Sequence, residues 1–229
     1  MTSASTPEPV VAVRGQWRDE VQPELARVFV TIGARGDDRA KILTLVSGRV
    51  DEVRKVIDAY GEGVERVEQS ALQVMARFKG PKPTEKPSGY VAEVRLTVLV
   101  TDFTVLGDML LRLADEAMVT VDGPHWSLRP DSNVYRKARI EAVRDARTRA
   151  EEYAAAAGSR LTGLVEIADV GLSRGYGDGY VEEAAPASMS FLASRGSVAD
   201  RLTFDVQPVP QTVSATVHAR FTLTQPDFP

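Results

Sequence analysis

Residues 131–158 read DSNVYRKARIEAVRDARTRAEEYAAAAG, and their spacing sets the architecture of the chain. Ala138, Ala142, Ala146, Ala150 and Ala154 recur every fourth residue, and Gly158 falls on the next step. With Tyr135, Tyr153, Ala157 and Leu161 they keep to spacings of three and four, which predicts one face of an α-helix. Methyl side chains make that face thin. A thin face lets the helix axis come close to its cover, and rows spaced by four are packing ridges. Asp131 or Ser132 offers an oxygen to the orphan amides at the helix start. Gly158 suits the helix end, because glycine enters the left-handed conformation at little steric cost. On the opposite face Lys137 with Glu141, Asp145 with Arg149 and Arg147 with Glu151 are four apart, so opposite charges meet. Acids interleaved with bases mark a solvated, ion-paired face rather than a nucleic-acid patch.

The whole chain fits that picture. Its 229 residues suffice for one large domain or two small ones, and its hydrophobic fraction of 43% is ordinary for a globular protein. A net charge of −4 argues against a nucleic-acid binder driven by bulk charge. The absence of cysteine excludes disulfides, thiolate metal sites and thiol nucleophiles. The opening MTSASTPEPV has neither a basic cluster nor an apolar run, so it is not a secretory signal. No stretch approaches the roughly 20 apolar residues that span a bilayer. The expected location is cytoplasmic.

Residues 1–9 are small, polar and interrupted by prolines, and are predicted disordered. Val10 to Trp17 is a short predicted strand. In Glu24 to Ala34, residues Ala26, Val28, Val30, Ile32 and Ala34 share one strand face. Asp37 or Asp38 caps a helix running to about Tyr60, with Ile42, Val46, Val50, Val53, Ile57 and Tyr60 in its buried stripe. Val64 to Phe78 is a strand region, followed by the proline-rich loop GPKPTEKPSG. Tyr90 to Val100 alternates cleanly. Asp102 or Thr104 caps a third helix with Phe103, Leu106, Leu110, Leu113 and Ala117 on its inner stripe, and Met118 to Leu128 is a strand interrupted by a bulge or bend at Asp122-Gly123-Pro124. The order is β-α-β-β-α-β, which folds as a sheet with both helices on one face. The expected fold is α+β: this βαββαβ unit (10–130) on an antiparallel or mixed sheet, then the long alanine-rich helix and C-terminal strands (131–229). Those strands run from about Leu164 to Leu172 and, cleanest of all, from Thr212 to Thr224.

Residues 173–200 differ. Tyr176, Tyr180, Met189 and Phe191 stand in a stretch too long for an ordinary connection. It is either a partner-binding or oligomer-forming arm, or a loop without a role.

Chemistry is sparse. There are two histidines, His125 and His218, far apart in sequence, and both suit structural or surface roles. No H-E-x-x-H, G-x-S-x-G or Walker-type loop occurs, and no acidic pair has credible metal-ligand spacing. Trp17 and Trp126 suit core or interface positions. No cofactor, metal or catalytic residue is expected.

The run Ala138-x3-Ala142-Val143-x-Asp145-Ala146-x3-Ala150-x2-Tyr153-Ala154-x3-Gly158 resembles the signature helix of the SIMPL-domain family. Val11-x-Val13-x-Gly15, Pro23-Glu24-x-Ala26, Val67-Glu68-Gln69-Ser70, Gly89-Tyr90-x-Ala92 and Val98-x-Val100-x-Asp102-Phe103 follow in the family's order, covering roughly residues 10–225. Gln16 departs from a frequent second glycine. The family includes a bacterial periplasmic immunogenic antigen and a kinase-interacting mammalian protein. The resemblance implies an α+β fold, self-assembly into ring-like oligomers, loose roles in stress tolerance or kinase association, and no catalytic residues to carry over. The expectation is a non-enzymatic, homo-oligomeric scaffold or protein-interaction module. The alternative is a module that binds a small apolar ligand or peptide between the sheet and the alanine-faced helix.

Overall fold

The computed structural model describes residues 8–78, 87–169 and 206–227. The predicted disordered start (for residues 1–7), most of the proline-rich loop and the 173–200 arm lie outside them. The described chain divides into two units: residues 8–21, 130–169 and 212–227 form the first, and 22–78, 87–129 and 206–211 the second. The strand Val10–Val21, longer than predicted, therefore groups with the C-terminal elements.

The second unit holds the βαββαβ order in full. Its strands are β2 (Leu25–Gly36), β3 (Val64–Gln69), β4 (Gln73–Arg77), β5 (Gly89–Val100) and β6 (Val119–Ser127), and its helices are α1 (Arg39–Asp58) and α2 (Leu106–Asp115). The sheet runs β3-β5-β2-β6, with β4 on the same edge of β5 as β3, and every pairing is antiparallel. This is the split-βαβ, ferredoxin-like arrangement. The region predicted as one strand over 64–78 is two, because Ser70 turns the chain: its N–H donates to the Arg95 carbonyl and its Oγ accepts from the Arg95 N–H. The even-numbered residues Ala26–Ala34 of β2 and Ala92–Val100 of β5 point to the helix side, where Ile42, Val46, Val53, Ile57, Leu106, Met109 and Leu113 close over them. Alternation along both strands left no other face to bury. Asp38, of the two candidate caps, accepts from the amides of Ala40 and Lys41, and Asp102 accepts from Thr104.

The first unit is a three-stranded sheet, order β1-β8-β7, made of β1 (Val10–Val21), β7 (Leu161–Asp169) and β8 (Gln211–Leu223), with α3 (Asn133–Ala156) laid across it. Ser132 caps α3, accepting from the Val134 amide. Gly158, at φ +64°, ends it. The Gly158 N–H reaches the Ala155 carbonyl and the Ser159 N–H reaches that of Ala154, which together make a Schellman motif. All five predicted alanines are buried. Tyr135 and Tyr153 are not: they are 36% and 64% exposed. Steps of four advance 400° around the helix, so the alanine stripe winds away from residues that share its face only nearby.

The ridge meets the sheet at one place above all. A methyl group at Gly15 would sit 2.0 Å from the Ala142 carbonyl oxygen and 2.6 Å from the Ala146 Cβ. Only glycine lets β1 and α3 come this close. Beside it, the Gln16 N–H donates to the Asp145 carboxylate at 2.8 Å, and Asp145 also pairs with Arg149. Val13, Val217, Ala219 and Phe221 complete this small core.

Candidate functional site

The arm residues Tyr176, Tyr180, Met189 and Phe191 lie outside the described residues. The strand leading into that segment is described, and it is unusual. β7 is an edge strand: β8 pairs with one side, and among the described residues nothing pairs with the other. Leu164, Val165 and Ile167 are 55%, 51% and 45% exposed. Leu164 stands opposite Phe221 and Ile167 opposite Ala219, both buried beneath α3. These β7 side chains thus share the sheet face that α3 covers, at a place α3 leaves open. An apolar edge strand with unused backbone donors and acceptors is a template for another strand. The sequence showed the strand but not its edge position, which depends on β1 taking the far side of β8.

A second surface is the helix-free face of the five-stranded sheet, buried at the end that carries Leu25 and Leu99 and open over the rest. It is polar and carries rings. Phe29 of β2 is half-buried at its centre. The Arg95 guanidinium lies 5.8 Å from the Phe29 centroid, and the His125 ring lies 5.3 Å from it on the other neighbouring strand. His125 stands 3.3 Å from Asp122 across the bulge the sequence predicted. A His–Asp pair can act as a general base on a substrate or a water, and in nucleophilic catalysis it serves a hydroxyl or thiol beside it. No hydroxyl among the described residues hydrogen-bonds to His125. His218 lies in β8 opposite Ala168.

Three further polar clusters tie elements together within the second unit. Arg129 forms a two-pronged pair with Glu65 while its N–H donates to Glu24. The bond from Arg129 holds the Glu65 carboxyl below its ordinary value. Tyr60 donates to Asp108 at 2.6 Å, and Arg112 pairs with the same carboxylate. Burial, then that bond, pushes the Tyr60 phenol up to about 12, the opposite of what a phenolate nucleophile needs. Arg49 bridges Glu52 and Glu116. Trp126 packs edge-on against Phe103 in the core, and Trp17 is half-buried with Lys137 5.6 Å from its ring. Among the described residues no group of three or more His, Asp or Glu side chains is placed to hold a metal ion, and no helix is long and apolar enough to cross a membrane.

A family described as SIMPL, a protein of unknown function (DUF541), matches residues 11–221. No curated protein matches the chain. Among solved structures, one from Burkholderia cenocepacia, provisionally described as an amidohydrolase/peptidase, is similar at 16% identity. The likeness covers 60% of this chain and 35% of that one with a TM-score of 0.24, too low to carry any inference about activity.

Proposed function

We propose, from the premise that this chain belongs to the SIMPL family, that it is a non-enzymatic protein that associates with copies of itself and serves as a scaffold or interaction module. The observation that carries this reading is the β7 edge, where Leu164, Val165 and Ile167 stand exposed on a strand whose second ladder side has no partner among the described residues. Backbone pairing supplies the affinity in such contacts and the alternate side chains supply the specificity. The alternative is a small ligand or peptide between sheet and helix, which would have to sit away from Gly15, where the α3 backbone lies against β1.

Sedimentation velocity on the full chain across the micromolar range tests the proposal. A species larger than the monomer should grow with concentration and be lost in Ile167→Lys and Leu164→Lys, whose side chains are exposed and so tolerate the change. A monomer at every concentration refutes it. So does an oligomer indifferent to both substitutions.

A further inference from the structure

The helix-free face of the five-stranded sheet carries a concentration of positive charge that the chain as a whole does not. Register places Arg27 and Arg35 of β2, Arg95 of β5, Arg66 of β3 and Arg77 of β4 on this face, against the carboxylates Glu68, Glu93 and Asp122. Two of those carboxylates are already engaged, Glu68 with Arg66 at 2.9 Å and Asp122 with His125 at 3.3 Å. Arg27, Arg35 and Arg77 are exposed and have no acidic partner among the described residues. A net positive face on a chain of net charge −4 is a local feature, not a consequence of composition.

The spacing is that of an extended chain. Arg27 and Arg35 bracket the β2 face eight residues apart, about 27 Å at the rise of a strand. Arg95 stands between them opposite Thr31. Apolar side chains alternate with the arginines: half-buried Phe29 lies between Arg27 and Arg95, and Val91 opposite Arg35 has Met75, 56% exposed, on its other side. Guanidinium groups present paired donors in a plane, a geometry that carboxylates meet two bonds at a time.

We propose that this face docks an acidic peptide segment of a partner protein, extended and with apolar residues between its carboxylates. Nucleic acid fits less well. Base stacking needs an open ring, and the Phe29 ring already has the Arg95 guanidinium at 5.8 Å and the His125 ring at 5.3 Å. This docking is independent of self-association through β7, which lies in the other unit.

The test uses the full chain and a fluorescent peptide of about twelve residues alternating Glu with Leu, read by anisotropy. Its Gln–Leu counterpart and an oligothymidylate of similar length serve as comparisons. The Glu peptide should bind and the Gln peptide should not. Affinity should fall when salt is raised from about 50 mM to about 500 mM. Arg27→Glu with Arg95→Glu should weaken binding roughly tenfold or more, while Arg136→Glu on α3 should leave it unchanged. Circular dichroism confirms that the double variant folds; if it does not, Arg27→Gln with Arg95→Gln replaces it, with a loss of the same sign. Absence of binding, equal binding of the Gln peptide or indifference to the paired arginines overturns the proposal. Equal binding of oligothymidylate, lost in the same variant, overturns the choice of partner. Repeating the titration in Ile167→Lys separates the two readings, since docking should survive loss of the oligomer.

Discussion

Replacing Gly15 with alanine tests the packing on which the first unit depends. The added methyl would lie 2.0 Å from the Ala142 carbonyl oxygen and 2.6 Å from both the nitrogen and the Cβ of Ala146. Ordinary contact begins near 3.4 Å, so about 1.4 Å must be found. Two of the three obstructing atoms are backbone and cannot rotate away, so α3 must lift from β1 as a body. Overpacking of a core costs about 1–3 kcal/mol, and obstruction by backbone puts this site at the top of that range. Lower chain entropy in the unfolded state returns about 0.4–1 kcal/mol. The net expectation is a loss of about 2–2.6 kcal/mol, or a fall in Tm of about 4–10 °C for a chain of this size. Trp17 in β1 reports the first unit and Trp126 in β6 the second. Urea unfolding followed by Trp17 fluorescence in a Trp126→Phe background reads the effect where it should occur. A Gly15→Ala midpoint equivalent to less than about 0.5 kcal/mol of change would show that α3 is not seated on this strand as described.

Gly48 supplies the opposite case: it sits within α1 with nothing within 4 Å of a Cβ. Gly48→Ala should stabilise the second unit by about 0.5–1 kcal/mol, seen as a raised urea midpoint. Asp145→Ala removes the acceptor of the Gln16 N–H; because water can reach that N–H, the loss should be about 0.5–1 kcal/mol, and Asp145→Asn, which keeps an oxygen, should recover part of it. The lowered carboxyls of Glu65, Asp102 and Asp108 bind protons less readily folded than unfolded. Their contribution is therefore present above the ordinary carboxylate values of 4.5 for Glu and 3.8 for Asp and is lost as the pH falls through the lower folded values. Glu65→Gln should lower Tm slightly at neutral pH and flatten the acid limb, so that variant and parent converge as the pH falls below about 4.5; curves separated by the same amount at every pH would count against the Arg129–Glu65 pair.

Periodicity carried most of the fold. The even-numbered residues Ala26–Ala34 of β2 and Tyr90–Val100 of β5 and the five alanines of α3 were assigned to one face each from spacing alone, and all are buried except Tyr90, which is half-buried. Spacing could not place Val10–Val21, because a strand's partner is a long-range choice that alternation does not encode. For the same reason Gly15 could be read only as part of a family pattern. Its purpose is visible when Ala142 stands over it. Tyr135 and Tyr153 went astray because a period of four drifts relative to 3.6. The exposed Leu164, Val165 and Ile167 could not be told from core residues, since the same letters serve an edge strand and a buried one. The arginine face was legible residue by residue but not as a surface, because its members come from four strands.

In the first unit β8 lies between β1 and β7, and the Leu223 N–H donates to the Pro9 carbonyl. The central strand of that sheet is thus the last to be synthesised. A nascent chain that has emerged through β6 carries nearly everything the second unit needs, whereas β1 must wait about two hundred residues for its neighbour. During that wait β1 and α3 have only each other to cover Val13 and the alanine stripe, without the Val217, Ala219 and Phe221 side chains that complete their core. Loss of the final strand, by a premature stop or a protease, would leave the first unit unable to close while the other folds, and such fragments should be aggregation-prone and dependent on chaperones.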